Sequence, residues 1–543
     1  MSSKITDYLN EHLSGDVVSG DNARRQFSTD GSVLSLMPNL VIHPREVDDI
    51  RKIARFTWRL AERGQILPLT ARGNGVDQTG AALSRGVILS TPAHMAQIME
   101  FELKYRMVRV QPGISLETLG QAVLTQGMRL PIDGGISRAM TVGGAIANNA
   151  PGRQYAKYGA MGDWVEKLEV VLANGEIIQT GRISQKELNR CKGLQTLEGE
   201  IYRSIDSLIL DNPDTISALS NRNILDAGGY RIEQVKGKDG SFDLTPLFLG
   251  SQGTLGIISQ AIIHLTELSS SNSMVVAALN GEQDMPELVA KLIELEPSAL
   301  EFIDGATLEL LYKITGYEPW SSVCSDLPAG LIFVEFEGKH TARKSRQVAK
   351  LFDSQSIEHA KIASSIDEYE QVMNIYDSVS AITNHNDSGE ATIPLMSDIS
   401  ILPSKAFDLV DGIRKILKRN HVEAGIWGNL AAGLVTVKPI INLTNLGQRQ
   451  IIFRLMDQIS ELVRKQGGSI TGLNGGGRLL SPWIKMQYDR ETAELFDSIK
   501  RIFDPYGVLN TGVQNDDMDR NKLMAILRQD YINDRFSIYN LRG

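Results

Sequence analysis

Cysteine is nearly absent: 2 of the 543 residues, Cys191 and Cys324. Thiols so few and so far apart cannot build a disulfide framework or a thiolate metal site, and they fit a reducing compartment. No run reaches the 18 or so apolar residues that a membrane-spanning helix needs, and the opening segment 1–15 is too polar for a secretion signal. Basic residues (56) are outnumbered by acidic ones (65), giving a net charge of −9 with no long basic run, which argues against nucleic-acid binding. Histidine is also scarce, eight in all, and none lies beyond His421. Internal repeats and low-complexity tracts are missing too. These absences point to a cytoplasmic protein, with peripheral membrane contact left open.

What remains is ordinary globular composition, 42% hydrophobic and 22% charged, in a chain long enough for three or four units of roughly 150 residues. Ile5, Leu9 and Leu13 recur at helical spacing. Short β-branched runs predict strands over 87–90, 108–111, 168–173 and 176–180, the last two joined by an Asn174-Gly175 hairpin turn. A serine-rich stretch (Ser269, Ser270, Ser271, Ser273) marks a boundary, beyond which helices are expected over 285–295 and 404–419 and a strand over 331–336. A final helix is expected near 521–528.

Glycine is the one excess, 49 residues, and it clusters. Gly73, Gly75 and Gly80 fall in one loop whose backbone N–H groups can turn inward as a nest for phosphate oxygens. The spacing is neither G-x-G-x-x-G nor a P-loop, so a nicotinamide site or an ATPase is disfavoured. A tight surface turn is an equal reading of this loop alone. Gly143, Gly144, Ala145 and Ala147 would let a flat ring system lie on the backbone, or else let helices pack closely. Gly250, Gly253 and Gly256 form a third loop entering a strand.

Taken in order, these segments resemble the FAD domain of the vanillyl-alcohol oxidase and para-cresol methylhydroxylase superfamily, nearest to the D-lactate dehydrogenase and glycolate oxidase FAD-subunit group. Further matches are Phe27 to Asp30, Pro38, Lys157-Tyr158-Gly159, Asp163 and the closing stretch Phe503 to Gly512, colinear over about 22–515. The resemblance implies an α+β protein: a PCMH-type FAD-binding domain of two α/β subdomains over 1–268, an antiparallel-sheet substrate (cap) domain with helices over 275–500, and a tail, 501–543, returning to the FAD domain. It implies that Arg72, Gly73, Asn74, Gly75, Val76, Asp77 and Gly80 surround the pyrophosphate. Ile132, Asp133, Thr141, Gly143, Gly144, Asn148 and Gly152 would line the ribityl chain and ring. Gln252, Gly253 and Ile257 would close the nucleotide side, with Asn510 arriving from the tail. Val76 stands where some members attach FAD through histidine, so non-covalent FAD is expected. Asp77 departs from the usual serine. A carboxylate beside a pyrophosphate is unfavourable unless it accepts neighbouring N–H groups as an Asx turn; a weakened cofactor site is the other reading.

The substrate domain departs further. Where the resembled dehydrogenases carry two metal-binding histidines, this chain has Asn429 and Thr436; where they carry the metal glutamate and the histidine base, it has Leu473 and Asn474. The family's carboxylate-binding arginine is replaced by Asp377 or Ser378. No metal site is therefore expected, and Asn429, Asn474 and Arg478 are the candidates for work on substrate. Tyr376 and His385 are further polar groups, with packing and a surface loop as their plainer readings. A solvated or phosphate-steering role is the plainer reading of Arg478. The implied function is an FAD-dependent oxidoreductase that oxidises a hydroxyl-bearing small molecule by hydride transfer to flavin. Its electrons would pass to a non-nicotinamide acceptor such as an iron–sulfur protein. The alternative is a catalytically degenerate FAD-binding subunit serving as a structural or binding partner in an oxidoreductase complex.

Overall fold

The computed structural model describes residues 3–132, 138–269, 271–281, 284–357, 360–363, 365–379, 391–514 and 518–529. Three apolar strands, Leu40–His43, Val87–Ser90 and Leu69–Arg72, pair in parallel, with Asp16–Val18 antiparallel on the outer edge. Covered on both faces, these strands are near-continuous apolar runs rather than alternating ones. The helix Val47–Ala61 lays Ile50, Ile53 and Ala54 into their core, and the helix Ser3–His12 adds Leu9, as its spacing predicts.

A five-stranded antiparallel sheet follows, ordered Ile98–Glu102, Met107–Val110, Ile257–His264, Val165–Val171 and Ile177–Gln179. Residues of Ile257–His264 alternate between buried and half-buried, so Ile257, Ser259, Ala261 and Ile263 point inward and Ile258 points away. The Asn174-Gly175 turn forms as predicted, with Asn174 Oδ1 accepting from the Glu176 amide at 2.9 Å.

The third unit is an eight-stranded antiparallel sheet built from 272–441. Helices Met285–Glu294, Thr341–Ser354, Ala406–Arg419 and Leu446–Gln466 cover one face; Gly305–Thr315 and Ile366–Ser378 cover the other. Helix Arg490–Phe503 lies mostly inside the span assigned from sequence to the cap. It nevertheless buries Leu495, Phe496, Ile499 and Phe503 in the core of the five-stranded sheet. The chain thus begins its return one helix earlier than residue 501. Val508 and Asn510 then bond to both sides of Leu69 (2.8 and 2.9 Å), extending the parallel sheet.

Two buried polar seams hold the cap against the rest. In one, Arg153 forks onto Glu335 and donates to Tyr369, while Gln154 Nε2 donates to Glu335 at 2.9 Å and Arg129 pairs with Glu337 at 2.7 Å. In the other, Arg478 Nη1 donates to Gly80 O at 2.6 Å, and Nη2 donates to Asn510 Oδ1 at 3.0 Å and Thr511 O at 2.6 Å. Arg478→Met would strip a donor from all three acceptors. A loss of about 2–5 kcal/mol is expected, read as a lower denaturation midpoint with unchanged secondary structure.

Candidate functional site

The three glycine-rich segments converge on one cleft of about 810 Å³. Arg72, Gly73, Asn74, Gly75, Val76 and Asp77 form one wall. Thr141, Gly143, Gly144 and Asn148, on and just before helix Val142–Asn148, form the second, and Gln252 with Gly253 the third. Strand Leu69–Arg72 ends at this mouth, and its last side chain works inward: Arg72 Nη2 donates to Thr29 O at 2.8 Å and the guanidinium lies over Phe27. That arginine fixes the loop from behind. A Cβ on Gly75 (φ +72°) would stand 2.3 Å from its Nη2, so only glycine lets the loop close over it. A Cβ on Gly253 would meet no protein atom within 4 Å, leaving backbone bare toward the cleft. Ala71, Ala81, Ala82 and Ala147 complete walls without bulk. A long, small-residue cleft with exposed backbone suits a dinucleotide with a flat ring.

Asp77 resolves as an Asx turn. Its Oδ2 accepts from the Thr79 and Ala81 amides at 3.0 and 2.8 Å, and its Oδ1 accepts from Asn148 Nδ2 at 3.2 Å. The charge is spent on protein donors. Gln252 extends the network, donating through Nε2 to Asn148 Oδ1 (3.1 Å) and Asn474 O (3.0 Å) and accepting from Gly477 N at 2.9 Å.

Other expected cofactor residues stand elsewhere. Gly152 lines the neighbouring cavity and Ile132 a separate outer groove. Gly80 and Asn510 belong to the buried seam behind the loop, Asn510 Nδ2 donating to Ala81 O and Gln252 O at 2.9 and 2.6 Å. The side chain of Ile257 enters the core, and strand alternation gives Ile258 the cleft position. Asp133 and His385 lie outside the described residues. Arg478, expected to act on substrate, is 2% exposed and lines neither cavity; its guanidinium bonds backbone and Asn510, so its position is that of a structural pin.

A second cavity adjoins the first, the two sharing Val76, Asp77, Met140 and Asn148. Its far wall is the cap sheet. Trp427 and Asn429, then Thr436 and Lys438, face it at two-residue spacing, and Glu301, Tyr376, Asp398 and Asn474 complete its polar lining. Asn429 is fully engaged, donating to Glu301 Oε1 (2.8 Å) and Arg153 O (3.1 Å) and accepting from Ala432 N (3.0 Å). Tyr376 donates to Glu301 Oε2 at 3.1 Å. Asp398 Oδ2 accepts from Leu473 N at 2.7 Å, while Asn474 Oδ1 is buried and meets no hydrogen-bond partner among the described residues. Asp377 faces the outer groove instead.

Burial governs the ionisation of this wall. It pushes the Glu301 carboxyl up to about 8, only partly offset by Arg153 and by the bonds from Tyr376 and Asn429. It raises Asp398 well above the ordinary carboxylate range and lowers the Lys438 ammonium to about 8. Among the described residues, no group of three His, Cys, Asp or Glu is placed to hold a metal ion. No described helix is long and apolar enough to cross a membrane. Glu301, Lys438 and Trp427 escape a motif-based reading; the available signal was a charge flanked by apolar residues, at 301 and 438.

Residues 38–181 match the FAD binding domain family, and residues 269–513 match the C-terminal domain of the FAD linked oxidases. The chain is 25% identical to D-2-hydroxyglutarate dehydrogenase of Haemophilus influenzae, the match covering 96% of this chain and 53% of that protein. It is 24% identical to glycolate oxidase subunit GlcD of Bacillus subtilis, covering 88% of each. The chain spans about half the length of the D-2-hydroxyglutarate dehydrogenases it matches first. Among solved structures, 4-ethylphenol oxidase from Gulosibacter chungangensis superposes with a TM-score of 0.67 at 14% identity, covering 96% of this chain and 98% of that one. A p-cresol methylhydroxylase superposes with a TM-score of 0.66 at 13% identity, covering 95% and 96%. These structures carry the same fold.

Glu301 makes stability depend on pH. Its carboxyl titrates near 4.5 when unfolded and near 8 when folded, so between those values the folded state holds more protons and stability falls as pH rises. The stabilisation is complete below the lower value and lost above the upper one. Asp30 and Asp398, also raised by burial, act in the same direction. In Glu301→Gln, the melting temperature is expected to decline less steeply across this window, and the difference from wild type isolates Glu301.

Proposed function

We propose that the chain, which carries an FAD binding domain and an FAD linked oxidase C-terminal domain, oxidises a hydroxyl-bearing small molecule, using FAD held non-covalently in the first cleft. One observation carries this reading: a second cavity with titratable and polar groups on its wall adjoins the cofactor cleft, the two sharing Val76, Asp77, Met140 and Asn148. Bound there, FAD supplies a two-electron acceptor for the hydride lost from the substrate carbon, its electrons passing on to a separate acceptor such as an iron–sulfur protein.

The protein's own part is binding, orientation and proton management. The backbone at Gly73, Gly75, Gly143 and Gly253 offers close approach to the cofactor. Met140, Leu434 and Trp427 keep the second cavity partly apolar. The unpartnered Asn474 Oδ1 accepts a hydrogen bond from the substrate hydroxyl, orienting it. The departing hydroxyl proton needs an acceptor of matched pKa. Glu301, facing the cavity with a carboxyl near 8, is that group in its ionised form, so in this reading the proton step strengthens as pH rises toward that value. The relatives' names supply the substrate class, a small hydroxy acid.

A second reading, a flavin-binding subunit without dehydrogenase chemistry, draws on Asn429 and Thr436 being committed to protein partners and on two relatives being named subunits. Anaerobic mixing of the flavin-loaded protein with hydroxy acids, sugars and alditols separates the two. Bleaching of the yellow band by one class is expected. A flavin that no class bleaches, in a protein that copurifies with an iron–sulfur partner, would support the second reading. Acid precipitation should release the colour to the supernatant, since Val76 offers no nucleophile; colour retained in the pellet would refute non-covalent binding.

A further inference from the structure

Lys438 is the unmatched charge of the second cavity. It sits mid-strand in Leu434–Ile441, on the face of Thr436, while Val435 and Val437 enter the sheet core behind. The residue is 3% exposed. Among the described residues, no carboxylate or hydrogen-bond acceptor meets Nζ, whose neighbour is the Trp427 ring at 5.2 Å from the centroid. Burial alone lowers the ammonium to about 8, so it remains mostly protonated at neutral pH.

A buried cation without a counter-charge is expensive, and the cost falls when an anion arrives. The other cation on the cavity wall, Arg153, is occupied by Glu335 and Tyr369. The guanidinium that the family resemblance places at 377 or 378 is missing, and Asp377 faces the outer groove. Burial holds Glu301 and Asp398, on the same wall, toward their neutral forms, so neither supplies a full counter-charge to Lys438. A carboxylate brings one such charge. A phosphate monoester brings about 1.5 to 2.

Building on the oxidoreductase reading above, we propose that Lys438 binds the carboxylate of the substrate, a small hydroxy acid anchored through a single ion pair. Trp427 packs beside the lysine stem and excludes water from the pair, and Asn474 receives the hydroxyl at the other end. Lys438 thus acts as a specificity-determining residue that takes over anion recognition from the absent arginine.

The test uses the flavin-loaded protein and matched probes: glycolate and D-lactate against ethane-1,2-diol and propane-1,2-diol, with glycerol 3-phosphate as the phosphate arm. Wild type should half-saturate with at least one acid at about tenfold lower concentration than with its diol. Lys438→Met should raise that value about tenfold or more while the limiting bleaching rate changes by less than about threefold. Lys438→Arg should recover much of the loss. Pyruvate and glyoxylate, which cannot reduce flavin, should raise the melting temperature of wild type and not of Lys438→Met. Diols saturating as tightly as acids, acids that neither bleach nor bind, or unchanged pyruvate binding in Lys438→Met would overturn the proposal. So would tighter, Lys438-dependent binding of glycerol 3-phosphate. If pyruvate binds through Lys438 but no hydroxyl compound bleaches the flavin, the anion site stands and the oxidoreductase reading falls. If diols alone bleach it, the reverse holds.

Discussion

Everything about the site depends on one buried polar junction between distant parts of the chain. Asn510, arriving from the end of the sequence, accepts from Thr70 and Arg478 and donates to Ala81 and Gln252 carbonyls. Gln252 reaches on to Asn148, Asn474 and the Gly477 amide. Both glycine loops and the cap loop are thereby fixed in one hydrogen-bonded frame. A groove so poor in side chains cannot hold its shape by packing, because glycine and alanine offer little surface to interlock. Directional bonds supply the rigidity instead, and each is costly to leave unmade once buried.

The same principle explains the charges that surround the cavities. Asp77 and Arg72 are held by protein donors and acceptors and contribute no free charge to the cofactor cleft. In the second cavity, the carboxyls of Glu301 and Asp398 are pushed toward neutrality, and Lys438 meets no counter-charge among the described residues. A pocket with one uncompensated cation and two muted carboxyls would discriminate by charge before it discriminates by shape. Its selectivity therefore comes from desolvation, since the same ammonium on the surface would be worth little.

Local signals carried most of the fold. Helical spacing at Ile5, Leu9 and Leu13, the Asn174-Gly175 turn and the strand at 87–90 all rest on contacts within a few residues, and each forms as read. The glycine clusters are visible in the sequence, and the three segments that hold them meet at one cleft. Ile257 was placed one residue off, since facing alternates along a strand and only the sheet register decides which neighbour looks into the cleft. Arg478 was misjudged for a related reason. Its partners lie about 400 positions away at Gly80, and no local pattern announces a guanidinium that bonds carbonyls across domains. Lys438 is visible as a single charge in an apolar strand and Glu301 as a charge flanked by apolar residues, but their meaning depends on which strands become neighbours.

The replaced metal and base positions form a coherent set rather than isolated losses. Leu473 is fully buried in a small apolar cluster with Ala160 and Leu434, so a carboxylate there would be surrounded by hydrocarbon with no counter-charge. Asn429 links Glu301 to the Arg153 carbonyl, so an imidazole there would break two bonds that hold the cavity wall. Thr436 ties its strand to the Ser397 carbonyl. Reinstating one ligand would therefore destabilise the wall before it could bind an ion, and the packing has already closed around the substitutions. Such integration fits the proposal that the cavity works through hydrogen bonds and one lysine.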